Sequence, residues 1–181
     1  MSSTSRRQRF EDIADEVFQP LQRYLRRRAG SADAEDVLSE VMVTIWRRLD
    51  EVPQGRALPW SYGVARRALA NQRRSQGRRL RLVQRMETEP HDRLSPDHAE
   101  QGPDADLMAA LDALDDRDRE ILRLWAWEQL EPREIATVLG LTVNAATLRL
   151  SRSKKRLSAE LSRQVGDDAG HKRVEGTQES R

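Results

Sequence analysis

EPREIATVLGLTVNAATLRLSRSKKR, residues Glu131 to Arg156, divides into two amphipathic helices around one glycine. Pro132 suits the first helical position, where its missing N–H costs nothing. Ile135, Ala136, Val138 and Leu139 give that helix its apolar side, and Gly140 ends it. Thr142 can cap the second helix, expected to run to about Arg163. Helix, short glycine turn, helix is the helix-turn-helix pattern. At ~100° per residue, Ala146, Leu150, Ser153, Leu157 and Leu161 share one face of the second helix. Asn144, Thr147, Leu148, Ser151, Arg152 and Lys155 share the other. Short polar groups near the start and cations further along suit the major groove. An ordinary solvated amphipathic helix would show the same alternation.

Upstream of this stretch, Leu107, Met108, Leu111 and Leu114 predict one short helix. Asp115 or Asp116 caps another that carries Ile121, Leu122, Leu124 and Trp125. Residues 78–104 hold Pro90, Pro96, Gly102 and Pro103 and lack any apolar period, so a flexible, acidic linker is expected there. Before it, Phe10, Ile13, Val17, Phe18, Leu21, Tyr24 and Leu25 recur at helical spacing. Pro20 is expected to kink that helix and Gly30 to close it, with residues 1–7 frayed. Ser31 can cap a second helix with the apolar stripe Val37, Leu38, Val41, Ile45 and Leu49. A third, from about Leu58 to Gln76, carries Trp60, Tyr62, Val64, Ala65, Ala68 and Leu69. The fold class is therefore all-α: two small helical domains, 8–77 and 105–163, joined by the linker and followed by a disordered tail at 164–181. The C-terminal domain contains the helix-turn-helix.

Composition narrows the function. The 181 residues include no cysteine, which excludes disulfides, zinc knuckles, iron–sulfur clusters and a catalytic thiol and suits a reducing compartment. Hydrophobic residues make up 37% and charged residues 34%, too lean for one large core. No segment approaches the ~18 apolar residues of a membrane span, and the N-terminus lacks a signal peptide's apolar core. His91, His98 and His171 lie in the linker or tail without metal-ligand spacing. No phosphate loop and no catalytic triad or carboxylate pair is legible, so no cofactor, no metal, no small-molecule substrate and no enzymatic activity are expected.

Lys and Arg number 32 against 30 Asp and Glu, a net charge of +2 that hides strong segregation. Eight arginines, Arg66, Arg67, Arg73, Arg74, Arg78, Arg79, Arg81 and Arg85, follow one another with no acid between them. Such a tract tracks a nucleic-acid backbone; a solubility role is the plainer alternative. Trp60, Tyr62 and Asn71 beside it are what unstacked bases need, although core packing explains Trp60 equally well. Asp33, Asp36, Glu40 and Arg47 lie opposite the apolar stripe of the second helix. Taken alone, such a face is a solvated one.

Three stretches in this order carry a resemblance: SADAEDVLSEVMVTIWRRLD (31–50), LPWSYGVARRALANQRRSQGRR (58–79) and LDDRDREILRLWAWEQLEPREIATVLGLTVNAATLRLSRSKKRL (114–157). Together they resemble the extracytoplasmic-function class of bacterial sigma factors. The resemblance implies a non-catalytic cytoplasmic protein that binds core RNA polymerase and directs it to promoter DNA. It implies that Asp33, Asp36, Glu40 and Arg47 meet the polymerase clamp helices. Trp60, Arg66, Arg67, Asn71, Arg73 and Arg74 would meet the minus-ten element and the melted strand. Asn144, Thr147, Leu148, Arg149, Ser151, Arg152 and Lys155 would meet the minus-thirty-five element. An anti-sigma factor is an implied further partner, and insertion into a membrane is not expected. Glu131 stands where the family's motif has a Ser or Thr cap, and Leu148 where a small polar residue is common. The competing readings are a stand-alone helix-turn-helix regulator, which leaves the arginine tract idle, and an RNA-binding module that uses the tract alone.

Overall fold

The computed structural model describes residues 3–84 and 103–175, and all secondary structure among them is helical. The helices are α1 (Ser3–Arg26), α2 (Ser31–Arg47), α3 (Ala57–Gln84), α4 (Pro103–Asp112), α5 (Asp116–Ala126), α6 (Pro132–Leu139) and α7 (Val143–Glu175), with a short 3₁₀ turn at Leu49–Glu51. None of them is long and apolar enough to cross a membrane. The chain forms two compact units: one holds α1, α2, α3 and α6, the other α4, α5 and most of α7.

In the first unit, α1, α2 and α3 pack pairwise around a shared core. Val17, Leu21, Tyr24 and Leu25 of α1 meet the stripe Val37, Val41 and Ile45 of α2, all of them fully buried or nearly so. From α3 come Tyr62, Ala65, Ala68 and Leu69. The Tyr24 and Tyr62 rings lie 4.9 Å apart between centroids, within the range in which aromatic pairs add to burial. α6 packs on α3. A Cβ built on Gly63 would lie 3.5 Å from the Val138 carbonyl oxygen, so Gly63 is the point of close approach.

Several local expectations differ from this structure. Helix α1 begins at Ser3, not Gln8, and runs through Pro20 without a break. Arg6 fastens its start: the guanidinium donates to Asp50 at 3.0 Å and to the Trp46 carbonyl at 2.8 Å, and lies 5.4 Å from the Trp46 ring centroid. Pro20 removes one helical donor, but Leu21, Tyr24 and Leu25 immediately after it are buried, and tertiary packing of a helix face outweighs one lost bond. Phe18 is 40% exposed and stands outside the core. Gly30 does not close α1 in a left-handed conformation; at φ −59 and ψ 160 it precedes α2 as the N-cap, and Ser31 is already helical. The last-turn carbonyls of α1 are met locally: the Arg27 N–H donates to Arg23, the Arg28 and Ala29 N–H groups to Leu25, and the Arg28 guanidinium to Tyr24. Arg73 donates to the Arg28 carbonyl in the turn that follows, at 2.8 Å.

In the second unit, Asp115 caps α5 by accepting the N–H groups of Arg117 and Asp118 at 2.9 and 2.8 Å. Half-buried Arg119 then collects the carbonyls at the end of α4, donating to Leu111, Asp112 and Leu114 at 2.7–2.9 Å. The buried side chains include Ala110, Leu111, Ile121, Leu122, Leu124, Ala146 and Leu150. Helix α7 continues past Arg163 to Glu175, so the segment expected to be tail is largely helical backbone. Most of the expected linker (85–102) and the end of the tail (176–181) lie outside the described residues.

Candidate nucleic-acid and polymerase interfaces

Helix α3 sorts the predicted strand-binding residues into two rows. Trp60, Arg67, Asn71, Arg74 and Arg78 follow at steps of seven, four, three and four residues and so share one face. Arg67, Asn71, Arg74 and Arg78 are exposed, and Trp60 is half-buried. Arg48 lies 5.7 Å from the Trp60 ring centroid. Arg74 donates to the Asn71 side-chain oxygen, which leaves the Asn71 amide as a donor toward anything docking on this face. Arg66 and Arg73 occupy a neighbouring row, and Arg73 is tied to the turn after α1. The side chains of Arg79, Arg81 and Arg85 lie outside the described residues.

On α2, Asp36, Glu40 and Arg47 are exposed along one face, with Val43 between them. Asp33 differs from its neighbours. Its carboxylate accepts from Gln72 at 2.9 Å and from Gln76 at 3.1 and 3.2 Å, tying the first turn of α2 to α3. Beyond α2, Arg48 and Glu51 pair with each other. The hydrogen bond and opposite charge raise the Arg48 pKa and lower that of Glu51.

The helix-turn-helix segment is well formed locally. Glu131 is the N-cap of α6: its N–H donates to the Glu134 carboxylate at 2.8 Å, and Pro132 takes the first turn. Gly140 has φ 66 and ψ 40, the left-handed conformation that glycine enters without steric cost. On α7, Asn144, Thr147, Leu148, Ser151, Arg152 and Lys155 are exposed, while Ala146, Leu150 and Ser153 are buried. Leu148 is 48% exposed, so its apolar side chain serves no core. Arg149 is half-buried, away from the centre of the exposed face.

Beneath this helix lies an acid that was not among the expected site residues. Asp118 is 5% exposed. It accepts from the Ser153 hydroxyl at 2.8 Å and from the Arg156 guanidinium. Arg156 also lies 3.7 Å from the Asp115 carboxylate. The hydrogen bond and charge of Asp118 raise the Arg156 pKa. Asp115 is lowered, first by the Asp118 N–H it accepts and also by the Arg117 N–H and the charge of Arg156. The signal was present: Asp118, Ile121, Leu122 and Trp125 recur at three- and four-residue steps, so an acid stands in an apolar row. Among the described residues, no cluster of His, Asp and Glu could hold a metal ion.

The family profile "Sigma-70 region 2" matches residues 13–79, which span the α2 and α3 faces, and "Sigma-70, region 4" matches residues 104–157, which span α4 to α7. Together they cover two thirds of the chain. The chain belongs to the sigma-70 family. A probable RNA polymerase sigma factor, RfaY, of Xanthomonas campestris pv. campestris is 30% identical over 141 residues. The match takes in 72% of this chain and 34% of that relative, so the chain spans about a third of the relative's length. Among solved structures, the sigma factor RpoE of Bartonella quintana, in complex with the anti-sigma factor NepR, aligns with a TM-score of 0.61 at 20% identity. It covers 84% of this chain and 96% of that one. CnrH in complex with the cytosolic domain of CnrY aligns with a TM-score of 0.56 at 23% identity, over 84% of this chain and 87% of that one. These likenesses are of fold. For this sigma-70 member, the α2 and α3 faces fall in region 2, and α6 with the outer face of α7 falls in region 4.

Proposed function

We propose that the chain is a sigma factor that binds core RNA polymerase and directs it to particular promoters. The observation that carries this reading is the presence of both regions, in order, each with an exposed face of suitable chemistry. In region 2, Asp36, Glu40 and Arg47 meet the polymerase, while Asp33 orients α2 by holding Gln72 and Gln76. Trp60, Arg67, Asn71 and Arg74 meet the minus-ten element and the melted strand, with Arg66 and Arg73 flanking them. In region 4, Asn144, Thr147, Leu148, Ser151, Arg152 and Lys155 face the minus-thirty-five element, with Arg149 at the edge. Functional domains at 8–77 and 105–163, separated by an acidic tether, follow from the same reading. The protein works in the cytoplasm, where its polymerase is. It carries no catalytic group of its own. The RpoE relative is held by an anti-sigma factor, which supports an anti-sigma partner here.

The test is run-off transcription with core polymerase on a library of randomised promoters. Specific products that require the chain, with shared upstream and downstream motifs, are expected. Operator binding without any effect on core polymerase would instead identify a stand-alone regulator.

A further inference from the structure

Helix α7 is gripped by α5 at three positions within one turn, Ser153, Lys154 and Arg156. The Ser153 hydroxyl has one proton and two acceptors in reach, Asp118 Oδ1 at 2.8 Å and the Arg149 carbonyl at 2.9 Å. The carboxylate is the stronger acceptor. One turn on, Arg156 binds the other oxygen of the same carboxylate and approaches Asp115. Lys154 lies over the Trp125 ring, 3.4 Å from its centroid. Apolar contacts between helices resist separation more than rotation. Directional bonds from adjacent positions of one turn resist rotation. A turn of ~15° about the axis would move a side-chain tip ~6 Å from that axis by about 1.5 Å, more than a base-edge hydrogen bond tolerates.

We propose that Asp118 is a positioning residue for promoter recognition: through Ser153 it sets the rotation of α7, and through Arg156 it keeps one cation away from DNA. The proposal rests on α7 reading the upstream element. Asp118 touches no base. It decides which atoms of Thr147, Ser151 and Arg152 do. Arg156 is 60% exposed at its side chain, yet its charge is committed to two carboxylates and is absent from the set that meets phosphate.

The experiment uses the full chain with core polymerase on promoters whose upstream element is randomised and whose downstream element is fixed. Asp118→Asn and Ser153→Ala are each expected to re-rank the upstream sequences, changing the relative use of the best and second-best by about tenfold, the scale of one base contact. Ser153→Ala removes one hydroxyl and keeps the helix packed, so it carries the test if Asp118→Asn folds poorly. A variant that is merely less stable uses every promoter less, in unchanged proportion; that outcome overturns the proposal. Asp118→Asn is also expected to free Arg156 and steepen the salt dependence of upstream binding by about one unit. Arg156→Gln is expected to leave that slope at the wild-type value, and a shallower slope would show that Arg156 contacts phosphate after all. Thr147→Ala and Arg152→Ala separate the levels of the argument. If they re-rank the library and the Asp118 and Ser153 variants do not, Asp118 has no positioning role and α7 still reads DNA. If none of the four re-ranks it, α7 is not the reading helix.

Discussion

A single side chain in these interfaces is defined as much by its protein partners as by its exposure. Asn71 shows this: its oxygen accepts from Arg74, which biases its remaining hydrogen bonding toward donation from the amide. Asn71→Ala is expected to reduce strand opening more than upstream duplex binding, read as loss of permanganate reactivity at melted thymines. On α7, Arg152 and Lys155 lie three residues apart on the same exposed face. Base contacts specify and phosphate contacts position. Arg152→Ala is therefore expected to change which upstream sequence is preferred, by about 1–3 kcal/mol per lost contact. Lys155→Ala is expected to weaken all promoters alike and lower the salt slope by about one. Binding titrations on two promoters at several salt concentrations distinguish the two. The reverse pattern would place Arg152 on the backbone and Lys155 on the bases.

At the level of elements, caps and buried rows set where each helix begins and how far it turns. The Asp115 cap carries its own pH dependence. Its folded pKa is lowered, chiefly by the Asp118 N–H it accepts, so its contribution is complete above the ordinary carboxylate value and is lost as the pH falls through the lower folded value. Asp115→Asn keeps a capping oxygen without the charge. The wild type is expected to melt at higher temperature than this variant near neutral pH, with the gap closing as the pH falls below the ordinary carboxylate range, as followed by helical circular dichroism. In the core of α2, Ile45 is fully buried. Ile45→Ala is expected to cost about 2–5 kcal/mol of stability in denaturant titrations while leaving the exposed face of α2 unchanged.

For the whole molecule, polymerase docking is the property on which the proposed function depends. Asp36 and Glu40 are exposed on a helix whose opposite side is buried core. Reversing both charges, Asp36→Arg with Glu40→Arg, leaves that core untouched. The double variant is expected to keep its helicity and to bind core polymerase more weakly by several kcal/mol, because like charges across an interface are penalised on that scale. Equal affinity in a titration would remove this face from the docking surface.

The sequence by itself determined which stretches are helical and most of the rows they bury; Phe18 and the part of α7 after Arg163 are the exceptions. Period, caps and breakers act within one or two turns, so the buried row Ala146, Leu150 and Ser153, the stripe of α2, the cap at Asp115 and the left-handed Gly140 are all legible locally. Only the tertiary structure decided what the polar groups do. Gln72 reaches Asp33 across 39 residues, Arg73 reaches Arg28 across 45, and Ser153 reaches Asp118 across 35. Each of these side chains reads in sequence as one more charged or polar group on a highly charged chain. Pro20 and Gly30 belong with them: their local preferences are a break and a left-handed cap, but the buried face of Leu21, Tyr24 and Leu25 carries α1 through Pro20, and Gly30 caps α2 instead. Hydrophobic patterning is a property of neighbours along the chain. The partner of a buried carboxylate is a property of neighbours in space, and folding alone brings them together.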